Sequence, residues 1–119
     1  MAKVNMDLDE LQRMLWSYAG HRVITVAARA GVLRLLAQRE ASPPEVAREL
    51  GLDPLAAGKV VRALSALGLL EAEGASYRIV GSLRPYFLPG EEDLGPFIEH
   101  AHTMYEGWGA NLEPWLHGS

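Results

Sequence analysis

Residues 42–80 read SPPEVARELGLDPLAAGKVVRALSALGLLEAEGASYRIV, and this stretch decides the fold. Ser42 followed by Glu45 is a capping box, and Pro43 and Pro44 fall in the first helical turn, where a missing N–H costs nothing. Gly51 ends this helix, and Asp53-Pro54 supplies an N-cap and a first-turn proline for the next one. Gly68 closes the second helix. Residues 69–73 and 77–80 are then short strand-like runs flanking Gly74-Ala75-Ser76, which reads as a hairpin with a three-residue loop. The result is a helix-turn-helix followed by a two-stranded wing. Such a module can read DNA or join protein subunits, and the segment alone does not choose.

Within the second helix, Ala57, Val60, Val61, Leu64 and Leu67 fall on one face and are expected in the core. Leu55, Lys59, Arg62 and Ala66 fall opposite. Gly58 is a poor residue for a helix interior, costing about 1 kcal/mol against alanine.

Upstream, residues 7–38 read as helical. Asp7 and Glu10 mark a start, and Leu8, Leu11, Leu15 and Tyr18 recur at helical spacing. Gly20 is expected to divide or bend this block. Residues 23–36 are apolar on more than one side, through Val23, Ile24, Val26, Ala27, Ala28, Val32, Leu33, Leu35 and Leu36. A helix apolar most of the way round needs cover most of the way round, and a winged module is expected to cover one side only. Downstream, Pro85, Pro89 and Gly90 are expected to keep residues 81–93 irregular. From Leu94 a long helix is expected, with Ile98, Ala101, Tyr105, Trp108, Leu112 and Trp115 continuing a seam in alternating steps of four and three. Phe97, Met104 and Leu116 widen it, and Pro114 is expected to end or kink it.

Composition fits this picture. The chain has 119 residues, 49% hydrophobic and 22% charged, which is one ordinary globular domain. It has no cysteine, which excludes disulfides and thiolate metal sites and fits a reducing cytoplasm. No signal peptide is visible in the polar, acidic first ten residues. Arg29 and Arg34 interrupt the apolar run at 23–37, so no membrane span is expected there. The net charge of −4 argues against a dedicated nucleic-acid binder.

The winged segment itself carries four cations, Arg48, Lys59, Arg62 and Arg78, against five acids, a net of −1. A wing presenting Glu71 and Glu73 repels a phosphate backbone, and Lys59 and Arg62 read better as solvated charges than as DNA contacts. His100 and His102 fall on different helix faces, while Glu99, His102 and Glu106 share one. Three such side chains make at most an incomplete metal site, and solvated helix charge is the commoner meaning, so no metal is expected. His21, in an apolar stretch, reads as a packing residue. No Gly-rich loop follows a strand to cradle a nucleotide, and no serine has a plausible histidine and aspartate partner, so no catalytic residue is expected. The aromatic residues of the first and last blocks exceed what a small core can absorb and point to a partner subunit or a following domain.

In order and spacing, AARAGVLRLLA (27–37), PPEVARELGLDPLAAGKVVRALSALGLLE (43–71), YRIV (77–80) and WGANLEPWLHG (108–118) resemble the N-terminal dimerisation domain of S-adenosylmethionine-dependent O-methyltransferases. The resemblance covers nearly the whole chain. It implies a mainly α fold: a winged helix-turn-helix with a small β-hairpin wing, extra N-terminal helices and a long C-terminal helix. It divides the chain into a winged-helix dimerisation domain at 1–93 and a helix at 94–119 linking to a catalytic domain. It implies a homodimer with interlocked first helices, for which Leu11, Leu15, Trp16, Ile24 and Val26 are the interface candidates. It also implies that Met104, Tyr105 and Trp108, on the shared stripe, help wall the pocket of a small aromatic or polyketide-like acceptor. The Rossmann-like domain binding S-adenosylmethionine is expected just after Ser119, so this chain is expected to hold no cofactor and to have no activity alone. The rival reading is a stand-alone winged-helix regulator sensing an aromatic ligand, with Lys59 and Arg62 as its DNA contacts. The methyl-acceptor substrate and the size of any oligomer are not written in the sequence.

Overall fold

The computed structural model describes residues 5–118. The expectations placed on the first four residues and on Ser119 lie outside the described residues. The order is α1 (Leu8–Arg29), α2 (Val32–Gln38), α3 (Pro43–Leu50), α4 (Pro54–Ala66), β1 (Leu70–Glu73) and β2 (Ser76–Ile79). A 3-10 segment (Gly81–Phe87), α5 (Gly95–Met104), a π turn (Tyr105–Gly109) and α6 (Leu112–Leu116) complete it.

The winged module forms as its local signals dictate. Ser42 Oγ accepts from the Glu45 N–H at 3.3 Å, and Glu45 Oε1 accepts from the Ser42 N–H at 3.0 Å, so both halves of the capping box are made. Asp53 Oδ2 caps α4 through the Ala56 N–H at 2.9 Å. Gly51 and Gly68 end the two helices at φ 68° and 94°, left-handed values that a side chain resists. In the wing, Leu70 pairs with Ile79 and Glu73 with Ser76, so the loop is two residues, Gly74-Ala75, and not the expected three. Gly74 at φ 62° occupies the first loop position, and a two-residue turn of this hand matches the twist of the strands. Ala41 extends the wing by pairing with Tyr77, its N–H donating to the Tyr77 carbonyl at 3.0 Å and its carbonyl accepting the Tyr77 N–H at 2.8 Å.

Three helical expectations are corrected. α1 runs unbroken through Gly20, and the break falls at Gly31, whose φ of 90° no helix interior admits. A Cβ at Gly20 would meet nothing nearer than Leu67 Cδ2 at 3.7 Å, so that position asks for neither a bend nor a glycine. The turn at Gly31 places α2 in the middle of the core, where Val32, Leu33, Leu35 and Leu36 are all buried. Most of the two-sided apolar pattern at 23–36 is therefore covered by the chain's own α1, α3, β2 and 3-10 segment. Within α4, Ala57, Val61 and Leu64 are buried and Val60 is half-buried, but Leu67 is exposed because the helix has already ended there.

Residues 81–87 are regular after all. A 3-10 turn carries Pro85 and delivers Phe87 into the core. It is tied down by Arg84 Nε donating to the Ala37 carbonyl at 2.7 Å and by the Leu94 N–H donating to the Tyr86 carbonyl at 2.8 Å. The long C-terminal helix is likewise divided, and not at Pro114. The Ala110 N–H donates to the Tyr105 carbonyl at 2.7 Å, five residues back, which is the π turn. Asn111 Nδ2 then donates to the carbonyls of Glu106 and Gly107 at 3.0 and 2.9 Å, competing with the helical ladder and ending it. Pro114 sits in the first turns of α6, where its missing N–H is tolerated.

Candidate functional site

Two apolar surfaces are left open. Along the outer half of α1, Leu8, Leu11, Met14, Leu15, Trp16 and Tyr18 are all exposed, Leu15 by 70% and Trp16 by 76%. Leu8, Leu11, Leu15 and Tyr18 share one stripe by helical arithmetic, and Trp16 projects from another side. A helix of this sort standing clear of the body gains little stability from its own hydrogen bonds and needs tertiary contact to persist. The second surface is the end of the chain. Ile98 is buried against α1, but Trp108, Leu112, Trp115 and Leu116 are exposed. The seam expected from Leu94 to Trp115 is thus used inside the chain only over its first half.

The magnitude of this exposure is informative. The accessible surface is 8211 Å², against about 6,300 Å² for a compact monomer of this mass. The radius of gyration is 16.7 Å, against about 13.5 Å for a compact chain of this length. The excess of about 1,900 Å² is more than one partner contributes to an ordinary protein–protein interface, about 800 Å².

The interface candidates do not stand alike. Leu11, Leu15 and Trp16 lie on the free part of α1, and Val26 is exposed further along. Ile24 is half-buried against the chain's own core, which removes much of its side chain from any outside contact. Of the pocket candidates, Met104 and Trp108 are exposed, whereas Tyr105 is half-buried and engaged. Its ring lies 5.9 Å from that of Tyr18, 6.3 Å from that of His21 and 5.0 Å from the Arg22 guanidinium. The hydrogen-bonding Tyr18 hydroxyl, more than burial, holds the Tyr105 phenol above its ordinary value. His21, expected to pack in the interior, is exposed beside this ring.

The trio of Glu99 and His102 on α5 and Glu106 in the π turn serves the same joint. Glu99 Oε1 lies 3.3 Å from Arg29 Nε, and Glu106 Oε1 lies 3.7 Å from Arg22 Nη2. His102 is buried, with Nδ1 3.1 Å from Arg22 Nη1. All three side chains are directed to arginines of α1. Sequence reasoning grouped these three residues but missed Arg22 and Arg29 as their partners, and Tyr18 as the partner of Tyr105. The signal was present: Tyr18 and Arg22 are four apart, as are His102 and Glu106, so each pair lies on one helix face.

On the opposite side, Lys59 and Arg62 are exposed on the outer face of α4. A Cβ at Gly58 would stand 3.2 Å from Arg62 Nη1, so the missing side chain is what lets the guanidinium fold back along the helix. On the wing, Arg78 is paired with Glu71 at 3.4 Å and Glu73 at 3.1 Å. Its charge is therefore spent within the hairpin. A groove of about 560 Å³ between α2 and the wing is lined by these same charges and by Arg84, already bonded to the Ala37 carbonyl. Among the described residues no helix is long and apolar enough to cross a membrane.

No protein-family model matches the chain. A curated relative, the 3-hydroxy-5-methyl-1-naphthoate 3-O-methyltransferase of Streptomyces sahachiroi, is 32% identical over 103 residues, covering 85% of this chain and 29% of that protein. Among solved structures, an O-methyltransferase family protein from Burkholderia thailandensis superposes with a TM-score of 0.79 at 25% identity, covering 95% of this chain and 34% of its own. PigF with SAH superposes with a TM-score of 0.82 over 95% of this chain and 34% of its own; at 18% identity it shares the fold. The chain thus spans about a third of the length of the proteins it matches. In fold it is a winged-helix domain, and in sequence and fold it is similar to about a third of these O-methyltransferases.

Proposed function

We propose that this chain is the homodimerisation domain of a small-molecule, S-adenosylmethionine-dependent O-methyltransferase. The observation that carries the proposal is the set of exposed apolar side chains along α1 and at the end of the chain, in a molecule whose total accessible surface exceeds a compact monomer's by about 1,900 Å². The α1 stripe with Leu11 and Leu15, together with Trp16 and Val26, meets a second copy. The segment at 94–119 leads into a Rossmann-like catalytic domain that binds the methyl donor, and Met104, Tyr105 and Trp108 help wall the pocket of an aromatic or polyketide-like acceptor. The absence of cysteine fits a cytoplasmic enzyme. In this reading the domain positions, and the catalytic domain that follows carries the chemistry.

The regulator reading has little support, because the wing's arginine is paired and the outer face of α4 offers only Lys59 and Arg62. The test is methyl transfer from S-adenosylmethionine to phenolic acceptors. The 119-residue chain alone should give no turnover. The same residues joined to the catalytic domain should turn over, and Trp108→Ala should then raise KM for the acceptor. Turnover by the chain alone, or specific duplex binding at physiological salt that Arg62→Ala abolishes, contradicts the proposal.

A further inference from the structure

Arg22, together with Arg29 where it meets Glu99, joins α1 to the α5–π-turn segment by polar contacts. Its Nη1 lies 3.1 Å from His102 Nδ1, its Nη2 lies 3.7 Å from Glu106 Oε1, and its guanidinium lies 5.0 Å from the centre of the Tyr105 ring. A guanidinium can only donate, so His102 Nδ1 has to accept. The ring proton then sits on Nε2, which faces Glu106 Oε1 at 3.6 Å, near enough for attraction and too far for a direct hydrogen bond. His102 is buried, so its ring cannot turn to water while the joint is closed. Tyr105 opens the π turn, and a π turn re-aims every side chain beyond it relative to a regular helix. Trp108 is the side chain re-aimed here. Gly107, next to it, has open space around its missing Cβ; Asn111 holds the far side of the turn through the Glu106 and Gly107 carbonyls, and Arg22 meets its near side at Tyr105 and Glu106.

We propose that Arg22 is the positioning residue of the aromatic wall. By fixing the His102 tautomer and seating the Tyr105 ring it sets the direction in which the π turn presents Trp108. The word wall rests on the pocket reading above; the joint itself does not. A planar, forked donor suits the task, because it reaches the imidazole nitrogen with one edge while its face lies over the phenol.

The test is long-range proton–nitrogen correlation of the histidine rings in the full chain, uniformly labelled with nitrogen-15, at neutral pH. The wild type should show His102 in a single tautomer with the proton on Nε2. Arg22→Met should lose that single tautomer and shift the Tyr105 ring signals, while backbone signals of α3 and α4 stay in place and report an intact core. Should Arg22→Met fail to fold, Arg22→Lys carries the test. Its ammonium can still donate to Nδ1 and keep the tautomer, but it cannot lie flat over Tyr105, whose ring signals should still move. A wild-type His102 protonated on Nδ1, or Tyr105 signals unchanged in both variants, overturns the proposal. In an enzyme containing this chain, Arg22→Lys should raise KM for the acceptor more than it lowers kcat. Displaced Tyr105 signals with KM unchanged would support the joint and count against the pocket reading instead.

Discussion

Leu64 and Trp108 separate what holds this domain together from what it offers outward. Leu64 has 0% of its surface exposed and Trp108 has 52%. Leu64→Ala leaves a cavity that close-packed neighbours cannot fill and should cost about 2–5 kcal/mol. Trp108→Ala removes little buried surface and should cost about 1 kcal/mol or less. Thermal melts of the two variants check this, and comparable large losses would make the aromatic end of the chain structural. Glu45 supplies a pH-dependent counterpart. Hydrogen bonding from the Ser42 backbone N–H, aided by the Ser42 hydroxyl, holds its carboxyl below the ordinary glutamate value. A carboxyl lowered by folding stabilises the fold fully above its unfolded value, about 4.3, and loses that contribution as the pH falls through the folded value. Melting temperature should therefore drop on acidification below about pH 4, and Glu45→Gln should flatten that part of the curve. Capping residues of this kind were legible in the sequence because both partners lie within one turn. Arg22 was not, because its partners His102 and Tyr105 lie some eighty residues away.

At the scale of elements, two glycines in the first helical block predict opposite signs. Gly31 adopts φ 90°, so Gly31→Ala should destabilise by about 1–2 kcal/mol. Gly20 is helical and faces only an ordinary contact at 3.7 Å, so Gly20→Ala should stabilise by up to about 1 kcal/mol. Chemical denaturation of the two variants decides both signs. Sequence reading chose the wrong glycine because composition records where a helix is weak, not where the backbone has to turn. The turn is demanded by α2, which has to enter the core between α1 and α3. The same limit explains the 3-10 segment, where Pro85 reads as a breaker but occupies a tight turn that Phe87 anchors. It also explains the π turn, which depends on Asn111 reaching back to two carbonyls. The helices and strands of the winged module were legible because each carries its own caps, although the hairpin loop proved one residue shorter than its spacing suggested.

At the scale of the whole molecule, the free length of α1 and the end of the chain set the shape, and they are what a partner has to cover. Leu8, Leu11 and Leu15 recur on one stripe of α1 that continues into Tyr18 and Arg22, so a second copy seated on Leu11 and Leu15 would lie next to the Tyr105 joint. Sequence reading placed the surplus apolar surface at 23–36 and in the aromatic first and last blocks; most of the 23–36 pattern turns inward, and the exposed side chains lie on the outer half of α1 and at the end of the chain. The part at 23–36 was misplaced because its cover depends on α2 being the central helix. The central claim is that this surface is buried between copies, and light scattering with size separation of the chain at micromolar concentration tests it most directly. The account predicts a mass of twice 13.0 kDa for the wild type, reduced to 13.0 kDa by Leu15→Glu with an unchanged helical spectrum. A clean 13.0 kDa wild-type monomer that binds no apolar-surface dye would contradict it.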